Sequence, residues 1–245
     1  MCTVTLVPLG KSDFILTTNR DESPNRVTLE PNFYLEDGVK LLYPKDKMAG
    51  GTWVGVSDKN RLVCLLNGGF TAHSRQDAYR LSRGVVVKDL LTSTDVLKLV
   101  NEYDLNGIEP FTVVLVDWNS DMKFFELVWD GFAKHFKNLP LESNIWSSSS
   151  LYTERMKLER KIWFQEFQQA NELNVGSVLE FHETAGSSNK EFGVIMDRGF
   201  VKTTCITQIV KQNKEIEMLF VNLQSNSKIK ARFHSAEIIE YQTKA

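Results

Sequence analysis

Residues 1–22 read MCTVTLVPLGKSDFILTTNRDE, and this stretch decides the fold. Thr3 to Val7 (TVTLV) and Phe14 to Thr18 (FILTT) are rich in the β-branched and apolar residues that favour strands. The segment between them, PLGKSD at 8–13, supplies glycine, serine and aspartate for a turn. The sequence therefore predicts a β-hairpin at the start of the chain.

Cys2 can unite a nucleophile and a base on one residue. Because the side chain of Cys2 is small, we expect removal of Met1, which leaves the thiol and the α-amine on the first residue. An α-amine with a pKa of about 7.7–8.0 can take the proton of a thiol with a pKa of about 8.5. The alternative is that Cys2 is an inert, small apolar residue of a strand.

The segment TTNRDE at 17–22 belongs to the second strand of this hairpin, which brings it beside Cys2. A carboxylate such as Asp21 can hold an α-ammonium group in position. A guanidinium such as Arg20 can favour a thiolate or bind an anionic substrate. The alternative is a solvated strand end that leads into the turn at Pro24.

Outward from this hairpin, strand and helix patterns alternate along the chain. A polar loop follows, and then a second hairpin within GGTWVGVSDKNRLVCLLNGG at 50–69. Two helices are predicted between 76 and 100, separated near 92–95 with Ser93 or Thr94 as the second cap. Thr153 is the predicted cap of the longest helix. Further predictions are strands at 111–117, 122–128, 132–137, 201–209, 216–222 and 231–233, a helix at 177–182 and a candidate lid at 183–193.

This order of strand pairs, helices and strand pairs predicts a layered α+β fold with segregated elements. The chain has 245 residues, of which 42% are hydrophobic and 24% charged, and no linker divides it. We therefore expect one domain over residues 1–245.

Charge and cysteine usage exclude several classes of function. A net charge of -2 gives no general reason to attract nucleic acid or an anionic membrane, and no apolar run approaches the roughly 20 residues of a membrane span. The first residues lack the features of a secretory signal. Three cysteines and four histidines without ligand spacing predict no metal site and no disulfide framework, so a cytoplasmic protein is expected.

Four segments together carry a family resemblance: MCTVTLV, TTNRDE, AGGTWVGVS and RLVCLLNGG. In order and spacing they resemble the NRDE family, also called the Tango2 family, whose name comes from the motif at residues 19–22. NIWSSSSLYTERMKLERKIWF at 144–164 is similar to the family's segment before and within its long helix. The resemblance is dense to about residue 70 and thinner afterwards.

The resemblance implies the fold of N-terminal nucleophile hydrolases, a four-layer αββα sandwich of two antiparallel sheets between helices. By similarity to the cholylglycine hydrolase and penicillin acylase group, Cys2 is the expected nucleophile, Arg20 a partner of the thiolate or substrate, and Asp21 a partner of the α-amine. One departure is that Arg20 and Asp21 are adjacent, so they face Cys2 together only if the strand ends or bulges there. Another is that four serines stand at 147–150, where that group has an asparagine.

Further residues are expected around this centre. Asn67, followed by Gly68, can supply an oxyanion hole, although a plain glycine-rich turn is equally compatible with the sequence. Trp53 is a candidate wall of the pocket, with a core tryptophan as the alternative. Asn19 and Glu22 complete the predicted substrate contacts.

Two functions are compatible with these residues. The first is a cysteine hydrolase that cleaves an amide or acyl bond of a small substrate, with no cofactor. The alternative is a non-catalytic binder or carrier of haem or of an acyl-CoA or lipid, because the family has been linked to such metabolism.

Overall fold

The computed structural model describes residues 2–234 and 238–244, which form fourteen strands and four helices. The strands are β1 (Cys2–Leu9), β2 (Asp13–Glu22), β3 (Thr28–Glu36), β4 (Val39–Asp46), β5 (Val54–Ser57), β6 (Arg61–Asn67), β7 (Phe111–Asp117), β8 (Lys123–Trp129), β9 (Lys134–Leu139), β10 (Asn144–Ser147), β11 (Lys202–Gln212), β12 (Glu215–Asn222), β13 (Ser227–His234) and β14 (Ile238–Lys244). The helices are α1 (Arg83–Thr92), α2 (Val96–Glu102), α3 (Glu154–Ala170) and α4 (Val175–Thr184).

The chain divides into two compact units, each built on one antiparallel sheet. The first unit comprises residues 1–26 and 142–245, and its strands lie in the order β10-β1-β2-β11-β12-β13-β14. The second comprises residues 27–141, with the order β3-β4-β5-β6-β7-β8-β9. Two antiparallel sheets with helices confirm the predicted α+β class. The prediction of one domain over 1–245 stays a prediction.

In the first unit, α3 and α4 pack on one face of the sheet. Alternate residues of β1 and β2, such as Val7 and Ile15, join Phe164 of α3 and Phe181 of α4 in one apolar cluster. The residues between them, including Cys2, point to the opposite face of the sheet. Residues of β1 and β2 on the same face as Val7 and Ile15 therefore face these helices, and Cys2 does not.

In the second unit, α1 and α2 cover the sheet with a core of leucine, valine and aromatic side chains. A Cβ atom placed on Gly51 would lie 3.0 Å from the Cα atom of Gly84 in α1. The glycines at 50–51 therefore allow close contact between backbone and helix, and Gly50 has a positive φ of 69°.

The structure confirms the two predicted hairpins, the three strands predicted between 111 and 137, and the long helix capped by Thr153. It also corrects three details. The segment expected to be a polar loop after β2 forms β3 and β4, and residues 144–147 form the edge strand β10. The cap of α2 is Asp95, whose carboxylate accepts from the N–H of Lys98, rather than Ser93 or Thr94.

No helix of the described residues is both long and apolar enough to cross a membrane.

Candidate active site

Cys2 is the first residue of β1 and lies directly opposite Arg20 of β2. On its other side β1 pairs with β10, and the N–H of Ser148 donates to the carbonyl of Cys2 at 3.0 Å. Cys205 of β11 is the next neighbour of Arg20 across the sheet. The predicted hairpin thus brings the thiol and the guanidinium-bearing residue to adjacent positions.

The Cys2 thiol is buried, with 1% of the residue exposed. Burial raises the pKa of this thiol, and the nearby Asp21 carboxylate also raises it, whereas the charge of Arg20 and the hydroxyl of Thr18 lower it. In the folded chain described here the thiol is therefore protonated at neutral pH unless a base takes its proton. Met1, whose removal would create that base, lies outside the described residues.

Arg20 is 4% exposed, and its guanidinium lies 3.8 Å from the Glu22 carboxylate. Glu22 also pairs with Arg26 at 3.4 Å and accepts from the N–H of Ser23 at 2.9 Å. Its carboxylate therefore balances two guanidinium groups.

Asp21 is fully buried on the helix-facing side of β2, because it alternates with Arg20 along a strand that continues to Glu22. Its Oδ2 accepts from the Tyr152 hydroxyl at 2.6 Å, and its Oδ1 accepts from the Thr203 hydroxyl at 2.7 Å. Burial raises the pKa of this carboxyl, although the charge of Arg160 and both hydroxyls lower it. The register shift lies in β11, between Thr203 and Cys205, rather than in β2.

Arg160 of α3 is fully buried beneath this carboxyl group. It donates to the carbonyls of Phe192 at 2.9 Å and Gly193 at 2.7 Å, and to the hydroxyl of Thr3. Its guanidinium carbon lies 3.6 Å from the ring centroid of Tyr152. The guanidinium therefore ties α3, β1 and the segment at 192–193 together. That segment belongs to the predicted lid, which is held by these bonds in the structure.

Asn19 uses its whole carboxamide inside the protein. Its nitrogen donates to the carbonyls of His182 at 2.9 Å and Val194 at 2.7 Å, so its oxygen is the acceptor for Nδ1 of His182 at 2.5 Å. Nε2 of His182 then accepts from the Thr5 hydroxyl at 2.8 Å. Burial lowers the pKa of His182 to about 3, with a further contribution from Arg160, so this neutral tautomer persists at physiological pH.

The remaining predicted site residues belong to the second unit. Asn67 ends β6 and is partly buried, and Trp53 is 7% exposed just before β5. Gly68 has a φ of 90°, and its N–H donates to the carbonyl of Pro110 at 2.9 Å. The Gly68 N–H thus already has a backbone acceptor, and the oxyanion hole expected at Asn67 and Gly68 stays a prediction.

Sequence reasoning missed Tyr152, Arg160, Thr203 and His182. A signal was present for Arg160, because it lies four residues from Met156 and Phe164 and so stands on the apolar side of α3. His182 likewise stands four residues after Val178 in α4. Across the described residues, no group of three or more His, Cys, Asp or Glu side chains is placed to hold a metal ion.

Comparison with known proteins places this chain in a family. The profile of TANGO2, Transport and Golgi organisation 2, matches residues 1–243. A mouse protein, Transport and Golgi organization 2 homolog, is 31% identical over 117 residues. That match covers 45% of this chain and 41% of the mouse protein, so it spans less than half of this curated relative.

Solved structures of N-terminal nucleophile hydrolases share the fold at low identity. The N-acylethanolamine-hydrolyzing acid amidase ortholog of Caenorhabditis elegans has a TM-score of 0.58 at 12% identity, over 85% of this chain and 92% of that one. A variant of conjugated bile acid hydrolase from Clostridium perfringens has a TM-score of 0.54 at 9% identity, over 100% and 97%. Penicillin V acylase from Agrobacterium tumefaciens has a TM-score of 0.50 at 8% identity, over 100% and 98%. The predicted likeness to this fold is thereby confirmed.

Proposed function

Because the chain belongs to the TANGO2 family and has the fold of N-terminal nucleophile hydrolases, we propose that it hydrolyses an amide or acyl bond of a small substrate with Cys2 as the nucleophile. The observation that carries the proposal is the pairing of Cys2 with Arg20, with Asp21 next in the same strand. The thiol and the cation thus share one face of the sheet where β1 begins, and the carboxylate lies on the helix-facing side, close enough to act electrostatically on the thiol. The solved structures support the fold alone, and the reaction is our inference.

Activation of the thiol requires a base, because burial raises the pKa of Cys2. Removal of Met1 supplies it, since the α-amine of Cys2 can take the thiol proton. The ammonium group formed is stabilised by the Asp21 carboxylate, and the thiolate by the Arg20 guanidinium. Each charge created by the proton transfer therefore has a partner of opposite sign.

The reaction then proceeds through an acyl-enzyme. The thiolate attacks the carbonyl carbon, a C–S bond forms, and the C=O electron pair moves to oxygen. Collapse of this intermediate breaks the C–N bond, and the leaving amine takes the proton of the α-ammonium. Water attacks the thioester and gives a proton to the α-amine, which returns it to sulfur as the acid product leaves.

The other predicted residues keep narrower roles in this proposal. Asn67 remains the candidate oxyanion donor and Trp53 a candidate pocket wall. Asn19 supports α4, because its carboxamide is occupied by His182 and Val194. Glu22 orients Arg20 through its ion pair, and its contact with substrate stays a prediction. A small-molecule substrate, no nucleic-acid partner and a cytoplasmic location remain predictions from the sequence.

The test is the reaction with a short-chain acyl-fluoride probe, followed by fluoride release and intact mass. We expect a burst of one equivalent, a protein mass lacking Met1 and carrying one acyl group, and slower steady turnover as water cleaves the thioester. Cys2→Ala should abolish the burst, whereas Cys64→Ala, which removes a buried thiol of the second unit, should retain it. A retained Met1, or equal labelling of the Cys2→Ala variant, would contradict the proposal.

One observation favours the non-catalytic alternative, namely that Cys2 is almost completely buried and its thiol pKa is raised. A protein that only binds haem or an acyl-CoA needs no reactive thiol. Binding without turnover predicts a haem absorbance change or an acyl-CoA-induced rise in Tm that Cys2→Ala leaves intact. Unchanged spectra and Tm with both ligands would exclude this second function.

A further inference from the structure

We propose that Tyr152, fixed in place by Arg160, is a positioning residue that holds Asp21 to receive the α-ammonium group of Cys2. This inference deepens the proposed function and rests on it. It gives a role to the segment at 147–160, which the cysteine chemistry alone does not use.

The geometry around Asp21 leaves its carboxylate little freedom. Tyr152 donates to one oxygen at 2.6 Å and Thr203 to the other at 2.7 Å, within a fully buried site. A carboxylate has about four acceptor positions on its two oxygens, so room remains for a third donor. Both hydroxyls thus orient the group without using up its capacity to accept from an ammonium.

Arg160 packs against the ring of Tyr152. Its guanidinium stacks on the Tyr152 ring with 3.6 Å between the guanidinium carbon and the ring centroid. Its nitrogens are anchored by the carbonyls of Phe192 and Gly193 and by the hydroxyl of Thr3, a residue of β1. The ring of Tyr152 therefore rests on a cation that is itself fixed to the strand of the nucleophile.

The segment at 147–160 also forms a hydrogen bond with the main chain of Cys2. Ser147 pairs with Thr3 across the β1–β10 edge, and the N–H of Ser148 donates to the Cys2 carbonyl. Four residues later the chain presents Tyr152 to Asp21. One continuous piece of chain thus sets the positions of the nucleophile and of its carboxylate partner.

Burial makes this support chemically necessary. Burial raises the pKa of Asp21, and a protonated carboxyl cannot stabilise an ammonium group. The charged and titratable groups that interact with Asp21 are Arg160 of α3, Tyr152 before it, Cys2 of β1 and Cys205 of β11. Arg160 and the two hydroxyls lower the pKa of Asp21 against the effect of burial and so favour the ionised carboxylate.

The test compares Tyr152→Phe with the wild-type protein by the pH dependence of Cys2 acylation with the acyl-fluoride probe. The phenyl ring keeps the stacking on Arg160 but removes the hydroxyl. The acid limb of the rate profile should move to higher pH, and the rate on that limb should fall at least about tenfold. The matched control is Tyr103→Phe, which removes a similar hydrogen bond, to Asp89, in the second unit and should leave the profile unchanged.

A second pair of variants keeps the test valid if Tyr152→Phe does not fold. Thr203→Val removes the other donor to Asp21 and should shift the limb in the same direction, whereas Thr203→Ser keeps a hydroxyl and should retain the wild-type profile. If wild-type Cys2 is acylated but neither hydroxyl deletion moves the limb, the positioning role is overturned and the proposed function stands. If wild-type Cys2 is not acylated at any pH, both fail.

Discussion

Replacement of Arg160 by Met removes the buried cation beneath Asp21 while keeping a side chain of similar length. The carbonyls of the partly buried Phe192 and the buried Gly193 lose this donor, and an unpaired group that is fully buried costs about 1–3 kcal/mol. Stacking on Tyr152 weakens as well. We expect the free energy of unfolding at neutral pH to fall by about 3–5 kcal/mol in total.

The part of this loss that reflects the charge of Asp21 can be isolated in a double-mutant cycle. In the Asp21→Asn background no carboxylate remains, so Arg160→Met should cost less, by about 0.5–3 kcal/mol. Urea unfolding, followed by fluorescence and circular dichroism, measures all four proteins. Arg61→Met is the matched control, because Arg61 is a buried arginine of the second unit that donates to the carbonyls of Leu90 and Ser93.

Arg61→Met should also destabilise the protein, but by the same amount with and without the Asp21 carboxylate. If Arg160→Met costs equal free energy in both backgrounds, then Arg160 does not support the charge of Asp21. That result would refute the claim that Arg160 stabilises the Asp21 carboxylate. Arg160 would then stabilise the fold only through its hydrogen bonds and its packing on Tyr152.

Three further predictions concern the same unit. Burial raises the pKa of Asp21, so the stability that this carboxyl contributes is present below the pKa of the unfolded state and is lost as pH rises through the pKa of the folded state. In urea titrations, Asp21→Asn should therefore gain stability relative to wild type between acid and neutral pH. A difference that does not change with pH would contradict this. The opposite sign holds for His182, whose pKa of about 3 lies below its unfolded value. Below about pH 6.5, His182 should lower the free energy of unfolding of the wild-type protein by about 1.4 kcal/mol for each pH unit. His182→Gln should remove this contribution to the pH dependence. Gly186 has a φ of 65°, and a Cβ atom there would collide with the Trp163 ring, so Gly186→Ala should cost about 1–3 kcal/mol in the same assay, whereas an unchanged midpoint would argue against this packing.

The strands and helices whose residues form a clear local pattern could be predicted from the sequence. The β1–β2 hairpin has strand-forming residues on both sides of a turn, and α3 has a threonine cap and an apolar stripe. β3 was missed because it is an edge strand that contains Pro31, which sits at a register shift between Leu29 and Asn32. Proline is tolerated at such edges and bulges, although it weakens the strand signal.

The candidate site was predictable only in part, because its support comes from distant segments. The hairpin places Cys2 opposite Arg20, which follows from turn geometry. The partners of Asp21 come from positions 152 and 203, and no local pattern links them to residue 21. A charged residue on the apolar stripe of a helix, such as Arg160, is the sequence signal that would point to such buried networks.

The most direct test of the account is to locate the acyl group after brief reaction with the acyl-fluoride probe, by tandem mass spectrometry of the N-terminal peptide. We expect a peptide that begins at Cys2, lacks Met1 and carries one acyl group, as the thioester in acid or as the α-amide formed from it by S-to-N acyl shift, and that is not acylated in the Cys2→Ala variant. An acyl group confined to Cys64 or Cys205, or an unmodified N-terminal peptide that retains Met1, would contradict it.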